Sequence, residues 1–304
     1  MRFESLNPFR AEQENKEQRK AEFAEFIKAF DFDKLKELIR GQVRPDHGDE
    51  ISICPAEKIV PDFSGSSGEY KPETKIIKFN PDRIRDRADM IGVNPDIMFN
   101  HVLIHEELHA ASDTPCDDNS VMVREFNVGF SRVTRIKKSP ITITGIYKAW
   151  NEGVTESMAR EVTHDYVTGT GLFSEENFDQ YKKTLEEPSG NPEIPYAPEV
   201  ELVDALIDRL ADASDKDRRE IWQMVKDAFI SGEGFNSQDL NQLTREVLPD
   251  GFLADLAGAS AKLTVRRLTA ELKSNNKLGL LSSPVIRHIK RMVEGYLESM
   301  GKLG

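Results

Sequence analysis

Cysteine is scarce in this sequence: the 304 residues contain only two, Cys54 and Cys116. Two cysteines are too few for a disulfide framework, and they lack the paired spacing of a metal site built from thiolates. We therefore expect both to be reduced thiols, as in a cytosolic protein.

Long apolar runs and an excess of positive charge are also absent. No apolar stretch approaches the roughly 18 residues of a membrane span, and the charged start MRFESLNPFRAEQENKEQRK lacks the apolar core of an export signal. The 41 Lys and Arg residues are outnumbered by 53 Asp and Glu residues, which gives a formal net charge of -12. We therefore expect a cytoplasmic protein that binds neither nucleic acid nor a membrane.

The remaining composition is typical of a folded chain, with 38% hydrophobic and 31% charged residues. Apolar residues at helical spacing predict an N-terminal helical layer; they are Phe23, Phe26, Ile27, Phe30, Leu35 and Leu38. The proline-rich stretch EEPSGNPEIPYAPE predicts a connector, after which the apolar pattern is helical throughout. The sequence thus predicts an α+β protein with a helical segment 1–48, a mixed segment 49–185 and a helical C-terminal half, 186–304.

The middle segment carries signals for a small antiparallel sheet followed by a helix. Strand-like pieces are Ile51–Ile53, Lys58–Val60 and Lys75–Phe79, the last containing KIIKF. Asn94 and Pro95 mark a helix start, with Asn at the N-cap and proline at the first helical position, and this helix should end near Ala111. Further strands or a hairpin and then a second helix are predicted at Arg124–Val133, Ile141–Tyr147 and Asn151–His164.

The first of these helices contains HEELH, which places His105, Glu106 and His109 in the pattern His-Glu-x-x-His. Helical residues four apart lie about 40° apart around the axis, so the two imidazoles can converge on one tetrahedral cation. Glu106 lies about 80° from the centre of that pair, within reach of a water on the metal, whereas Glu107 points about 180° away. The alternative is a helix with solvated histidines. His101 lacks an accompanying carboxylate, and we expect it in the core or beside a ligand.

A catalytic zinc site commonly needs a third protein ligand. The second helix, AWNEGVTESMAREV, supplies Glu152 and Glu156 four residues apart on one face. One carboxylate would complete the coordination sphere, and the other would accept a hydrogen bond from a ligand imidazole. Spacing alone leaves open which residue does which, and a solvated pair of glutamates is the alternative.

Together, HEELH and the downstream NEGVTE resemble the gluzincin metallopeptidases, whose helices carry His-Glu-x-x-His and Asn-Glu-x-x-x-Asp/Glu. The resemblance implies one zinc ion (Zn2+) held by His105, His109 and Glu152. It also implies that Glu106 is the catalytic base and that Glu156 orients a ligand histidine.

The resemblance covers about residues 51–171 and makes the segment 49–185 a metallopeptidase domain. It implies hydrolysis of peptide bonds in a peptide or protein substrate, with KIIKF as the edge strand that pairs with this substrate. Gluzincins also use a Tyr or His to stabilise the oxyanion, and no motif identifies that residue here. The candidates are Tyr147, His164, Tyr166 and Tyr196, of which we favour Tyr166 and His164 because the second helix leads directly into them.

Two other functions fit the same residues. One is a binding or scaffold protein whose zinc site is structural or degenerate; a structural site usually has four protein ligands, and the sequence offers no obvious fourth. The other is a toxin or effector protease that acts inside a foreign cell with the same catalytic residues. The sequence does not indicate the oligomeric state.

Overall fold

The computed structural model describes residues 8–48, 51–115, 123–136, 142–171, 173–186, 194 and 196–274. These residues form a mixed α+β structure, as predicted. Its helices are α1 (Pro8–Ala29), α2 (Phe32–Gly41), α3 (Pro45–Gly48), α4 (Pro81–Ile91), α5 (Pro95–Ala111), α6 (Lys148–Thr170), α7 (Glu175–Glu186), α8 (Ala197–Asp212), α9 (Arg218–Ile230), α10 (Gln238–Val247), α11 (Phe252–Ala257) and α12 (Lys262–Lys273). Its strands are β1 (Ile59–Pro61), β2 (Gly68–Lys71), β3 (Ile76–Phe79), β4 (Asp113–Pro115), β5 (Val123–Val128), β6 (Ser131–Ile136) and β7 (Thr142–Ile146).

The described residues fall into two compact units. The first contains residues 8–41, 48–111 and 159–186, and the second contains residues 42–47, 112–158 and 194–274. Helix α6 contributes its first half to the second unit and its last half to the first unit. This division does not follow the segments expected from the sequence, because the predicted domain 49–185 is shared between both units.

The N-terminal helical layer is present in the first unit. Phe23 and Ile27 of α1 and Leu35 of α2 are buried, as the helical spacing predicted. The ring of Phe23 packs against Phe79 of β3, with a centroid distance of 5.4 Å. Burial of each such side chain contributes about 1.5 to 3 kcal/mol, so this layer covers and stabilises the small sheet.

The sheet of the first unit has the strand order β1-β3-β2. Because β3 pairs antiparallel with β2 but parallel with β1, the sheet is mixed and the prediction of an antiparallel sheet was wrong in this respect. The predicted strand Ile51–Ile53 has no regular secondary structure, whereas Gly68–Lys71, in a turn-rich stretch, is a strand. The sequence GEYK has one buried residue, Tyr70, and so carries no apolar alternation that would reveal it.

The prediction that KIIKF is an edge strand was also wrong. Ile76–Phe79 form the central strand β3, whose two backbone edges are already paired with β1 and β2. Helix α5 contacts β2 and β3, so the predicted packing of the sheet on this helix is confirmed. An added substrate strand would have to pair with an outer strand rather than with β3.

The second unit holds an antiparallel sheet with the strand order β4-β5-β6-β7. Strands β5, β6 and β7 confirm the strands predicted between residues 124 and 147, although Ile141 lies outside the described residues.

Helices α8 to α12 confirm the helical C-terminal half as far as residue 274. The part of the predicted helical half after residue 274, most of the proline-rich connector and Cys116 lie outside the described residues. Among the helices that are described, none is long and apolar enough to cross a bilayer.

Candidate metal centre

Helix α5 begins one residue after Asn94, as predicted. The Asn94 side chain accepts a hydrogen bond of 2.8 Å from the Asp96 N–H, and its carbonyl accepts one of 3.2 Å from the Met98 N–H. The first bond satisfies a donor that has no partner within the helix, and the second is the first regular backbone bond of the helix. Every side chain from Ile97 to His109 is buried, which excludes the alternative of solvated histidines on a surface helix.

His105 and His109 lie one turn apart on α5, with ring centroids 5.0 Å apart and ring planes at 76°. They are 4% and 8% exposed, respectively. Ligand atoms of His105, His109 and Glu152 all lie within 4.8 Å of one another. In the part of the chain that the structure describes, this group has three members, and they are the three ligands proposed from the sequence.

The carboxylate of Glu106 lies against strand β2. Its Oε2 accepts a hydrogen bond of 2.7 Å from the backbone N–H of Tyr70. A Cβ atom built on Gly68 would lie 2.7 Å from Oε1, which shows how closely the strand passes over this carboxylate. Glu106 is 7% exposed, so this side chain is buried against β2, and it directly follows His105 in the chain.

Glu107, the next residue, has different surroundings. It is fully buried, and its Oε2 accepts a hydrogen bond of 2.7 Å from the Cys54 N–H. Burial raises the pKa of Glu107 to about 8, and the negative charge of Glu106 adds to this rise, while the hydrogen bond from Cys54 opposes it. The two adjacent glutamates therefore differ in partner, and Glu107 is largely protonated at neutral pH in the metal-free protein.

Glu152 and Glu156 lie in the first half of α6. Glu152 is partly exposed and Glu156 is 1% exposed, so the alternative of a solvated pair does not hold for Glu156. Asn151, which precedes Glu152, accepts a hydrogen bond of 2.8 Å from the Phe130 N–H through its side chain. This bond ties the start of α6 to the turn between β5 and β6.

Glu199 of α8 is a further carboxylate near this pair, and it was not predicted from the sequence. Burial raises the pKa of Glu199; Lys262 opposes the shift, and the charges of Glu152 and Glu156 add to it. Gly153 explains the proximity, because a Cβ atom there would lie 2.7 Å from the carbonyl carbon of Glu199. An acidic residue in the first turn of a helix is ordinary, so no sequence signal distinguishes Glu199.

Tyr166 and His164 lie toward the far end of α6. Because a helix rises about 1.5 Å per residue, Tyr166 is about 21 Å from Glu152 along the axis. Tyr166 is fully buried, its hydroxyl accepts a hydrogen bond of 2.7 Å from the Asp31 N–H, and its ring stacks on Phe30. His164 is exposed. These positions argue against the oxyanion role that we assigned to both residues from the sequence.

The other aromatic and histidine candidates have distinct surroundings. Tyr147 packs against Phe235 with a centroid distance of 5.1 Å, and burial raises the pKa of its hydroxyl. Tyr196 is 38% exposed and has a positive φ of 55° at the start of α8. His101 is buried, with its Nδ1 3.2 Å from the Thr163 hydroxyl, and thus belongs to the core as predicted.

Comparisons of this chain with models of protein families, with curated proteins and with solved structures found no match. The relation to gluzincins therefore rests on the residue patterns of α5 and α6, and it remains a prediction. The arrangement of the side chains themselves is the basis on which a function can be assigned.

Proposed function

We propose that this protein is a zinc-dependent peptidase that hydrolyses peptide bonds with one zinc ion bound by His105, His109 and Glu152. The observation that carries the proposal is the convergence of these ligand atoms within 4.8 Å of one another. A buried carboxylate, Glu106, adjoins one of the ligands in the chain and lies on the same helix. Ligands and a base are the two parts that metal-assisted hydrolysis requires.

The set of donor atoms suits zinc. Two imidazole nitrogens and one carboxylate oxygen form a common catalytic zinc set, which leaves a fourth position for water. A tetrahedral ion with bonds of about 2.0 to 2.2 Å holds its ligand atoms about 3.5 Å apart, so side-chain movements of about 1 Å would close the group onto the ion. No fourth His, Cys, Asp or Glu among the described residues joins the group, which favours a catalytic site over the structural zinc of a scaffold protein.

The charges on α6 and α8 also favour a cation. Glu152 and Glu156 lie near enough to Glu199 to raise its pKa, so their negative charges disfavour one another. A divalent cation at Glu152 would offset this repulsion, because a bound metal ion is the largest local charge in such a site. We assign Glu156, buried one turn after Glu152, to the hydrogen bond that orients a ligand imidazole.

When bound, zinc supplies Lewis-acid chemistry, which polarises a carbonyl and lowers the pKa of a water molecule. Glu106 accepts the proton of the attacking water and then delivers it to the departing amine. The bond from the Tyr70 N–H fixes Oε2 of Glu106 and thereby sets the direction of Oε1. The substrate is a peptide or protein segment whose scissile bond would lie beside this base.

Metal analysis combined with hydrolysis of a peptide library tests the proposal. We expect about one zinc ion per chain, loss of hydrolysis with a chelator and recovery when zinc is restored. The double substitution His105→Ala and His109→Ala should abolish zinc binding. Full metal occupancy in that variant, or zinc binding by a wild type that cleaves none of the peptides, would overturn the proposal.

Single carboxylate substitutions separate the ligand from the base. Glu106→Gln should retain zinc and lower hydrolysis by at least about a hundredfold. Glu152→Gln should lose most of the zinc, whereas Glu156→Gln should weaken zinc affinity or activity by about 10- to 100-fold. Glu161→Gln is the matched control, because Glu161 is exposed on the same helix and should keep both zinc and activity. Equal losses from Glu161→Gln and Glu152→Gln would contradict the assignment.

A further inference from the structure

Strand β2 and helix α5 approach most closely at Gly68. A Cβ atom built there would lie 2.7 Å from Oε1 and 2.8 Å from Cγ of Glu106, and 2.9 Å from Cγ1 of Val102. Side-chain carbons do not make contacts closer than 3.0 Å. A residue larger than glycine would therefore displace Glu106, Val102 or both.

The backbone conformation of Gly68 does not itself require glycine. It is absent from the glycines with positive φ, and β2 pairs regularly with β3 along its length, with Gly68 opposite Phe79. In a strand interior, glycine is less favourable than alanine by about 0.5 to 1 kcal/mol. Glycine at this position is thus explained by the space that it leaves for neighbouring side chains.

The hydrogen bond of Tyr70 shows that the Glu106 carboxylate occupies the space beside Gly68. Tyr70 is opposite Ile77 of β3, yet its N–H donates to Oε2 of Glu106 over 2.7 Å. In an antiparallel pair, residues alternately direct their backbone groups toward the partner strand and away from it. The N–H of Tyr70 therefore belongs to the outer side of β2, and Gly68, two residues earlier, faces the same carboxylate.

We propose that Gly68 is a positioning residue for the reaction: by presenting no side chain, it lets the Glu106 carboxylate bind the outer N–H of Tyr70 and so fixes the direction of the base. The inference rests on the proposed function, in which Glu106 moves the proton. A base displaced by about 1 Å loses rate by up to about a hundredfold, even when the metal ligands are intact.

The variant Gly68→Ala tests the proposal. We expect kcat to fall by about 10- to 100-fold, with KM and zinc content nearly unchanged, because the carboxylate moves and the ligands do not. Gly65→Ala is the matched control: it lies in the same segment, and its new Cβ would make only an ordinary contact of 3.4 Å with Asp62. Unchanged kcat in Gly68→Ala would overturn the proposal.

Two double variants separate the contact with Glu106 from the contact with Val102. If the loss arises from Val102, then adding Val102→Ala to Gly68→Ala should restore kcat, and this result would overturn the proposal. If the loss acts through the carboxylate, Gly68→Ala should have little further effect in a Glu106→Gln background, since interacting residues are non-additive. Additive losses in that background would also contradict the proposal.

Amide hydrogen exchange in the metal-free protein gives a readout that is independent of activity. The Tyr70 N–H should exchange slowly in the wild type and at least about tenfold faster in Gly68→Ala and in Glu106→Ala. The Lys78 N–H of β3 reports any general opening of the sheet and should be unaffected. Unchanged exchange at Tyr70 would overturn the proposed contact. A wild type that cleaves no peptide but shows Gly68-dependent exchange at Tyr70 would overturn the proposed function and support the contact.

Discussion

The backbone N–H of Cys54 donates a hydrogen bond of 2.7 Å to the carboxyl group of Glu107, and the bond joins the segment before β1 to the buried side of α5. Burial raises the pKa of Glu107 to about 8 and the pKa of the Cys54 thiol to about 12. Both groups are therefore largely neutral at pH 7. The adjacent residues Glu106 and Glu107 therefore have different roles. Glu106 is the proposed base for hydrolysis, and Glu107 binds the segment before β1 to helix α5.

Glu107→Gln should remove a pH dependence of stability. Between pH 4.5 and pH 8 the folded protein keeps the Glu107 proton that the unfolded chain has lost, so the free energy of unfolding of the wild type falls as the pH rises. Glutamine cannot ionise, but its side-chain oxygen can still accept the bond from Cys54. In the metal-free protein, the variant should therefore gain stability relative to the wild type across this range, as measured by urea unfolding.

Glu107→Ala is the matched substitution. It removes the acceptor of the buried Cys54 N–H, which should cost about 1 to 3 kcal/mol at every pH. If Glu107→Gln and the wild type show parallel pH profiles, Glu107 is not protonated in the folded state.

Cys54 should be unreactive in the folded protein. The thiolate is the nucleophile, and a buried thiol with a pKa of about 12 forms very little of it at neutral pH. In a Cys116→Ser background, mass spectrometry after iodoacetamide treatment should show an unmodified chain until denaturant is added. Rapid alkylation of the native protein would contradict the burial of Cys54.

His105 and His109 could be proposed as ligands from the sequence because their relation depends on local chain geometry alone. If the segment HEELH is helical, the imidazoles of His105 and His109 lie one turn apart on the same face. Asn94 with Pro95 indicates where that helix starts. Glu152 required a second helix, whose position the sequence also indicated. The choice of Glu152 as the third ligand, in contrast, was reached through the family resemblance rather than through spacing.

The predictions that were wrong concern the position of a residue relative to distant parts of the chain, which local sequence patterns do not determine. The order β1-β3-β2 places KIIKF in the centre of the sheet, and nothing in the apolar pattern of a short strand specifies which partners flank it. Tyr166 follows Glu152 on one continuous helix, but fourteen residues of helix separate their positions by about 21 Å. Gly68 occurs among several glycines and serines, and only the approach of α5 distinguishes it from them.

Tyr196 is the residue that we now expect to stabilise the oxyanion. It is the N-cap residue of α8 and lies three residues before Glu199, whose backbone packs against Gly153 beside Glu152. Its φ of 55° is unfavourable for a bulky residue, but Tyr147 has a similar φ of 57°, so the position near Glu199 and not the backbone conformation selects Tyr196. Tyr196→Phe should lower kcat by about 10²- to 10³-fold with zinc still bound.

Tyr166→Phe makes the same chemical change at a position that the structure assigns to packing. It should leave kcat unchanged and reduce stability by about 1 kcal/mol, because the Asp31 N–H loses its acceptor. Steady-state kinetics and thermal unfolding of both variants provide the comparison. A kcat loss confined to Tyr166→Phe would restore the assignment made from the sequence.

Two glycines of α6 should respond oppositely to alanine. At Gly169 the new Cβ would meet only the Lys34 side chain at 3.7 Å, so the usual helical preference should stabilise Gly169→Ala by about 0.5 to 1 kcal/mol.

At Gly153 the new Cβ would lie 2.7 Å from the Glu199 carbonyl carbon and 2.8 Å from Val203. Backbone cannot rotate away as a side chain can, so Gly153→Ala should cost about 1 to 3 kcal/mol. It should also weaken zinc binding, because the adjacent residue, the proposed ligand Glu152, moves with the helix. Urea unfolding and zinc titration of the two variants measure both effects, and stabilisation of Gly153→Ala would show that α6 and α8 do not approach each other at this residue.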